Sequence, residues 1–152
     1  MSEVTLALES PRQPEVARLL AALDAYQSAL YPAESNHFLD VDALTGPAVR
    51  FFVARRDGVA IGCAALRIDP DGYGELKRMY VAAEARGLKL GRRLLGRVEE
   101  EAREEGLECV RLETGIHQPE ALGLYRSAGY REREPFADYA PDPLSVFMEK
   151  RL

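Results

Sequence analysis

The sequence predicts a mixed α/β or α+β fold in which helices pack on a sheet, within one domain spanning residues 1–152. Two observations lead to this prediction. Segments with helical periodicity alternate with segments rich in strand-forming residues, and no repeat, low-complexity stretch or linker interrupts them. A chain of 152 residues that is 47% hydrophobic and 30% charged is also long enough to bury one globular core.

The first half of the chain contains a predicted helix followed by a β-hairpin. The helix begins with Ser10 and Pro11, which are favourable residues at a helix start. Its hydrophobic residues recur at helical spacing and are Val16, Leu19, Leu20, Leu23 and Tyr26. Residues 47–68 then form two predicted strands joined by Asp57-Gly58, a strong signal for a tight hairpin turn.

A long amphipathic helix is predicted in the middle of the chain. A turn at residues 69–72 leads into a strand that ends near Val81, and the helix follows from about Leu88 to Glu105. The hydrophobic residues along one of its faces are Leu90, Leu94, Val98 and Ala102. Gly106 ends the helix, because glycine readily adopts the backbone conformation found just past a helix C-terminus.

The last third of the chain alternates between strands and a short helix. A strand over residues 107–114 precedes a helix over 118–128, which Gly129 closes, and two strands over 130–136 and 145–152 complete the chain. The full predicted order is therefore helix, hairpin, strand, helix, strand, helix, strand, strand. This order is what indicates helices packed on a mixed sheet.

Charge and composition exclude several classes of protein. The formal net charge of -5 argues against a nucleic-acid partner, whose binding needs a broad basic surface. No apolar run approaches the roughly 18 residues of a membrane span, and the acidic start MSEVTLALES is unlike a signal peptide, so we expect a cytoplasmic protein. Cys63 and Cys109 are isolated and form no CxxC pair, which predicts two buried thiols and no metal site or redox motif.

Positive charge is concentrated where the middle helix begins. The stretch ARGLKLGRRLL carries Arg86, Lys89, Arg92 and Arg93. Because a helix N-terminus already carries roughly half a positive charge, each added cation there costs about 0.3–1 kcal/mol unless an anion binds. The first N–H groups of a helix have no intrahelical partner, and glycines let an anion approach the backbone closely. The stretch therefore predicts a site for a small anion such as phosphate.

The anion site matches neither of two common nucleotide-binding loops. It has no GK[ST], as a nucleotide-triphosphatase loop would, and no GxGxxG, as a dinucleotide-binding fingerprint would. It instead resembles the pyrophosphate loop of the GNAT superfamily of acyl-CoA-dependent N-acetyltransferases: Arg or Gln, two residues, Gly, one residue, then Gly or Ala. Arg86 and Gly91 match this pattern, and Lys89 stands at the first glycine's position. A lysine there can still offer its backbone N–H, and its side chain could pair with phosphate.

A second motif and the C-terminal segment strengthen the resemblance. QPEALGLYRSAGY is similar to the family's later motif of Asn, Ala, Leu-Tyr, Gly and an aromatic residue. The matching residues are Ala121, Leu124, Tyr125, Gly129 and Tyr130, whereas Gln118 stands where Asn is usual. The ending EPFADYAPDPLSVFMEKRL, together with GELK and LETG, resembles a bacterial subgroup whose members are sometimes labelled indole-acetic-acid or amino-group acetyltransferases.

The resemblance carries specific expectations about fold and cofactor. It implies a mixed, mostly antiparallel sheet of six to seven strands flanked by about four helices. It also implies acetyl-CoA as the co-substrate, with no metal, a small-molecule or amino-acid-like amine as acceptor, and a possible homodimer. The residues expected to bind acetyl-CoA are Met79, Tyr80 and Val81 through their main chain at the pantetheine arm, Arg86, Gly87, Leu88, Lys89, Leu90, Gly91 and Arg92 at the pyrophosphate, and Gln118 and Ala121.

Acetyl transfer from a thioester to an amine also needs an acid for the departing thiolate. The amine would attack the thioester directly, through a tetrahedral intermediate whose oxyanion a backbone N–H of the family's fourth strand commonly binds. Tyr125 is the candidate acid, because a phenol of pKa near ~10 can protonate a thiolate whose conjugate acid has a pKa near ~8.5. The alternative is that Tyr125 packs in the core or only touches the cofactor.

The candidate base is Glu75 of GELK, with Glu113 of LETG as the second choice. Moving a proton from an amine of pKa ~10.4 to a carboxylate of pKa ~4.3 is uphill by about 8 kcal/mol. Using the small neutral fraction of the amine at pH 7 costs about 4.6 kcal/mol instead. A carboxylate base therefore requires burial or a water relay. Glu75 could also hold a cationic acceptor electrostatically or be a solvated strand residue.

The acceptor pocket is predicted from aromatic and ionisable residues in turn-rich segments. These candidates are Tyr31, His37, Phe136 and Tyr139. A lone histidine in a loop such as His37 is more often a surface residue than a functional one. For Phe136 and Tyr139 an aromatic-anchored loop is an equally ordinary explanation. The rival to an enzyme is a catalytically silent CoA-binding or sensing module, which the departures at Lys89 and Gln118 would favour.

Overall fold

A computed structural model describes residues 3–35 and 40–152, within which the chain forms seven strands and four α-helices. The strands are β1 (Val4–Leu8), β2 (Val49–Arg56), β3 (Val59–Ile68), β4 (Tyr73–Val81), β5 (Cys109–Gly115), β6 (Arg131–Arg133) and β7 (Ser145–Arg151). The helices are α1 (Pro14–Leu30), α2 (Val41–Leu44), α3 (Leu90–Glu104) and α4 (Pro119–Ser127). Within these residues, no helix combines the length and the apolar character that a membrane span requires.

The strands form one sheet in the order β1-β2-β3-β4-β5-β7-β6. Every neighbouring pair is antiparallel except β4 and β5, which are parallel and are connected through α3. The mixed, mostly antiparallel sheet with four flanking helices is therefore confirmed. The hairpin at Asp57-Gly58 is confirmed too, since both residues adopt positive φ between β2 and β3.

Four details differ from the sequence-based expectation. The strand β1 and the short helix α2, which Asp40 caps through the N–H of Ala43, were not predicted. Helix α3 begins at Leu90, two residues later than expected, because Lys89 has a left-handed backbone that cannot continue a right-handed helix. The strand expected over residues 130–136 ends at Arg133, where its pairing with β7 stops.

Hydrophobic residues on both faces of the sheet form the core. Successive side chains in a strand point to opposite faces, so Phe51 and Phe52 face different helices. The cluster against α3 and α4 includes Phe52, Leu66, Leu94, Val98, Leu112 and Met148. The cluster against α1 and α2 includes Val16, Leu20, Leu44, Phe51 and Val53. The predicted apolar face of α3 is thus buried against the sheet, and Cys63 and Cys109 are buried free thiols as predicted.

The parallel contact between β4 and β5 is short and determines where a site can form. The two strands pair at only three positions, from Tyr73 with Cys109 to Glu75 with Arg111. Beyond these pairs β4 continues to Val81 and β5 continues to Gly115, each paired only on its other side in the described sheet. The strands therefore diverge, and a gap opens in the middle of the sheet.

Candidate active site

A cavity of about 870 Å³ occupies the gap between the diverging ends of β4 and β5. The diverging ends of the two strands, the second half of α1, the start of α3 and helix α4 form its walls. We call this cavity the cleft. Eleven of the twelve residues predicted to bind acetyl-CoA line it, and the exception is Leu88, whose side chain is 41% exposed.

One end of the cleft is the loop that leads into α3. Gly87 has a φ of 89°, and Lys89, the N-cap residue of α3, has a φ of 55°. The left-handed backbone at Lys89 explains why a glycine suits this position, since glycine adopts it without steric cost. In the described residues no side chain caps α3, and its first turn contains no acidic residue. The first N–H groups of the helix are therefore available to an anion in the cleft.

Helices α3 and α4 approach each other closely beside this loop. A Cβ atom at Gly91 would lie 3.1 Å from Cδ2 of Leu124, so the glycine permits the close packing. The guanidinium of Arg92 donates from Nη1 to Oγ of Ser127 at 3.1 Å, which ties the start of α3 to the end of α4. The start of α3 is therefore packed against α4, and the Arg92 side chain is held there by its hydrogen bond to Ser127.

Tyr125 lies on α4 and lines the cleft while remaining only 6% exposed. Its ring packs edge-on against Tyr130, with the ring centroids 5.9 Å apart. Burial raises the pKa of the Tyr125 phenol well above its ordinary value. The phenol therefore stays protonated at neutral and mildly alkaline pH, which is the form that can donate a proton.

The buried Glu75 lies at the centre of a partly buried polar cluster that we call the Glu75 cluster, made of Glu75, Arg67, Lys77 and Tyr139. Oε1 of Glu75 accepts from Nη2 of Arg67 at 3.1 Å, and Oε2 accepts from the Tyr139 hydroxyl at 2.5 Å. Nζ of Lys77 lies 3.5 Å from Oε2 and donates to the Tyr139 hydroxyl at 2.7 Å. Burial, and then the Glu75 carboxylate, raise the pKa of Tyr139. Of these four residues, only Lys77 lines the cleft.

Glu113, by contrast, lies on β5 and lines the cleft directly. Its side chain is only partly buried, and its Oε2 accepts a hydrogen bond from Oγ of Ser145 at 2.8 Å. Glu75 and Glu113 are the two candidate bases predicted from the sequence, and of these only Glu113 lines the cleft.

Tyr31 crosses the cleft from the C-terminal end of α1 to the loop before α4. Its ring stacks on His117 at a centroid distance of 5.5 Å and an interplanar angle of 21°. Its hydroxyl accepts from the backbone N–H of His117 at 3.0 Å and donates to Oε1 of Gln118 at 3.3 Å. Tyr31 therefore links two parts of the chain that lie on opposite sides of the cleft.

The other predicted acceptor residues have different surroundings. Phe136 is only 4% exposed and packs edge-on against Tyr73, Tyr139 and Phe147. Neither Phe136 nor Tyr139 lines the cleft, although Tyr139 reaches it through its hydrogen bond to Lys77. His37 lies outside the described residues.

The sequence did not predict that Arg78 in β4 bends its strand and forms an ion pair with α1. Its φ of 56° coincides with a shift in the register between β3 and β4, beside Cys63. Such a shift bends a strand and re-aims its side chains. Nη1 of Arg78 bonds to Oδ1 of Asp24 on α1 at 2.5 Å, which ties α1 to the bent strand. The two adjacent cations within an otherwise buried strand, Lys77 and Arg78, were the available signal for this irregularity.

Comparisons with known proteins agree with this geometry. The model of the acetyltransferase (GNAT) family matches residues 16–130. An IAA acetyltransferase of Azospirillum brasilense is 54% identical over the full length of both chains. A solved structure from Klebsiella pneumoniae, assigned as an acyl-CoA N-acyltransferase, is 41% identical, covers 98% of this chain and 97% of its own, and has a TM-score of 0.86. The PaiA N-acetyltransferase of Thermoplasma acidophilum, solved in complex with coenzyme A, shares the fold with a TM-score of 0.77 at 17% identity, over 99% of both chains.

The backbone conformations of Gly87 in the loop and Gly96 in α3 predict that alanine substitutions at the two positions change the free energy of unfolding in opposite directions. Gly87→Ala should lower the free energy of unfolding by about 1–2 kcal/mol, because an L-residue is strained at positive φ. Gly96→Ala should raise it by about 0.5–1 kcal/mol, because Gly96 lies inside α3 with open space at its Cβ position. Urea unfolding of the two variants measures both changes. Equal effects of the two substitutions would contradict the left-handed backbone at Gly87.

Proposed function

This chain belongs to the GNAT family of acetyltransferases and is an acyltransferase, and on that premise we propose that it transfers the acetyl group of acetyl-CoA to the amine of a small or amino-acid-like molecule. The observation that carries the proposal is the cleft itself. It joins the uncapped start of α3 at one end to a buried, protonated tyrosine and a carboxylate further along.

The start of α3 would hold the pyrophosphate of acetyl-CoA. Its N–H groups and the cations of Arg86, Lys89 and Arg92 line the same end of the cleft, so a doubly charged anion there offsets their mutual repulsion. Beyond the last pair with β5, the main chain of β4 pairs with none of the described strands on the cleft side. Peptide groups of Met79 to Val81 are therefore suitable partners for the amide groups of the pantetheine arm.

Tyr125 would act as the general acid. The amine nitrogen attacks the carbonyl carbon of the acetyl group, the carbon–sulfur bond then breaks, and the departing thiolate takes the phenolic proton of Tyr125. Burial keeps this phenol neutral before the step, and solvent returns the proton afterwards. The buried, edge-on packing against Tyr130 fixes the ring, so the hydroxyl has a defined position.

Glu113 would receive the proton that the amine loses, through a water molecule. It lines the cleft, whereas Glu75 does not. Direct transfer from an ammonium to an ordinary carboxylate is uphill by about 8 kcal/mol, which is why a water relay to solvent is required. Glu75 would form an ion pair with Lys77 and so hold the Lys77 ammonium group at the wall of the cleft, beside the acceptor.

The two departures from the family's motifs are compatible with catalysis. Lys89 adopts the left-handed backbone that a glycine would provide, so the direction of the loop is retained. Gln118 lines the cleft at the position of the usual Asn. These placements therefore remove the reason to prefer a silent CoA-binding module.

A calorimetric titration with acetyl-CoA tests the proposal. The wild-type protein should bind one acetyl-CoA, and Arg86→Ala should weaken the affinity by about 10-fold, since a charge-assisted contact to phosphate is lost. Arg131→Ala removes an exposed cation from β6 and should leave the affinity unchanged, because Arg131 does not line the cleft. A folded wild-type protein that binds no acetyl-CoA would refute the proposed function.

The acid role of Tyr125 predicts a specific kinetic change. Tyr125→Phe should lower kcat by roughly 100-fold, typical of losing a general acid, while the acetyl-CoA dissociation constant changes less than about 3-fold. Thiol release measured with a panel of amines, alongside calorimetry, separates these quantities. Tyr80→Phe is the matched control, because Tyr80 lines the same cleft and is proposed to act through its main chain. Equally small effects of both substitutions would rule out the acid role.

The two carboxylates predict different consequences when each is neutralised. Glu113→Gln should lower kcat/KM for the amine at least about 10-fold with little change in the free energy of unfolding. Glu75→Gln should lower the free energy of unfolding by about 1–3 kcal/mol, because the neutral amide leaves Arg67 poorly satisfied. Steady-state rates and urea unfolding measure both. If Glu75→Gln abolishes turnover without destabilising the protein, whereas Glu113→Gln retains full activity, the base is Glu75.

A further inference from the structure

Gln118 stands at the N-cap of α4, but its side chain does not cap the helix. Among the described residues it makes no capping hydrogen bond, and its backbone φ and ψ are -120° and 68°. Asparagine suits an N-cap because its short side chain reaches the first N–H groups, whereas a longer amide is poorly placed to do so. A glutamine here therefore has some other function than capping.

The side chain of Gln118 is instead bonded to Tyr31. The Tyr31 hydroxyl donates its one proton to Oε1 of Gln118 at 3.3 Å and accepts from the N–H of His117 at 3.0 Å. An asparagine at this position would be shorter by one methylene, roughly 1.5 Å, and its carbonyl could not keep this contact. The contact thus depends on glutamine being the residue at position 118.

The ring of Tyr31 is itself held in a narrow slot. One side of the slot is Gly115, where an added Cβ atom would lie 1.8 Å from the Tyr31 hydroxyl oxygen and 2.1 Å from Cζ. On another side the ring stacks on His117. Tyr31 is only 8% exposed although it follows the last residue of α1. Its hydroxyl therefore has a fixed position.

A fixed partner for one end of the Gln118 amide also fixes the other end. Because Oε1 accepts from Tyr31, the two N–H groups on Nε2 must point elsewhere, and Gln118 lines the cleft. We infer that Tyr31 is a positioning residue, which orients Gln118 so that its amide donates a hydrogen bond to a carbonyl oxygen of the acetyl-CoA arm. This inference rests on the proposed function and adds a residue to it.

The inference differs from the expectation that Tyr31 binds the acceptor amine. The hydroxyl of Tyr31 has already donated its only proton, within the described structure, to Gln118. A positioning role places its effect on the acetyl-CoA affinity, whereas acceptor binding would place the effect on the KM for the amine. The two roles are therefore separable by measurement.

A double-mutant cycle on the acetyl-CoA dissociation constant tests the inference, using Tyr31→Phe, Gln118→Ala and the double variant. Tyr31→Phe should weaken binding about 3- to 10-fold, which corresponds to one hydrogen bond made less favourable. The double variant should bind no more weakly than Gln118→Ala alone, because Tyr31 acts only through Gln118. Gln118→Asn should resemble Gln118→Ala, since the shorter side chain cannot reach Tyr31.

Control measurements distinguish positioning from a structural role. Tyr26→Phe is the matched control, because Tyr26 lies on α1 shortly before Tyr31, lines the same cleft and is 42% exposed; it should leave the affinity unchanged. The kcat at saturating acetyl-CoA should stay within about 2-fold in Tyr31→Phe, a split between affinity and turnover that general loosening would not produce.

Each outcome then has a definite meaning. If the wild-type protein binds acetyl-CoA and Tyr31→Phe binds it equally well, the inference is wrong and the proposed function stands. Additive effects in the cycle, or a raised KM for the amine with unchanged acetyl-CoA affinity, would equally overturn it. If the folded wild-type protein does not bind acetyl-CoA at all, both the inference and the proposed function fail.

Discussion

The early end of the pairing between β4 and β5 is the constraint on which the rest of the site depends. Three residue pairs hold the two halves of the sheet together, and beyond Glu75 and Arg111 the strands diverge. A continuous parallel pair would have consumed the peptide groups of both strands and filled the space with side chains. Because the pairing stops, the fold contains a cleft with backbone groups along one wall.

Electrostatics at the start of α3 follow from the same arrangement. The chain leaves β4, turns at Gly87 and Lys89 with positive φ, and enters α3 with its first N–H groups directed at the cleft. Cations at this end of a helix lower the free energy of unfolding when no anion is bound. In the proposed function an anionic ligand offsets this cost, and the hydrogen bond from Arg92 to Ser127 holds the Arg92 side chain against α4.

Local periodicity was sufficient to predict three of the four α-helices and most strands, and the spaced motifs predicted twelve acetyl-CoA residues, eleven of which line the cleft, because periodicity and motifs are both short-range signals. What could not be predicted depends on contacts between distant segments. Glu75 resembles an accessible base in the motif GELK, but Tyr139 and Arg67 cover it. Phe136 resembles a pocket wall, but it completes an aromatic cluster beneath β5 and β7. The strand β1 is an edge strand whose pairing with β2 gives little signal in its own five residues.

The parallel contact also has a consequence for the order of folding. The hairpins β2–β3 and β3–β4 bring together residues close in sequence, whereas pairing Tyr73 with Cys109 closes a loop that contains the whole of α3. Contacts of long sequence separation carry the larger loop-closure entropy and tend to form late. The cleft is bounded by both strands, so it is complete only when this pairing has formed. A ligand that contacts both strands would therefore bind only the folded chain, and its binding would raise the free energy of unfolding.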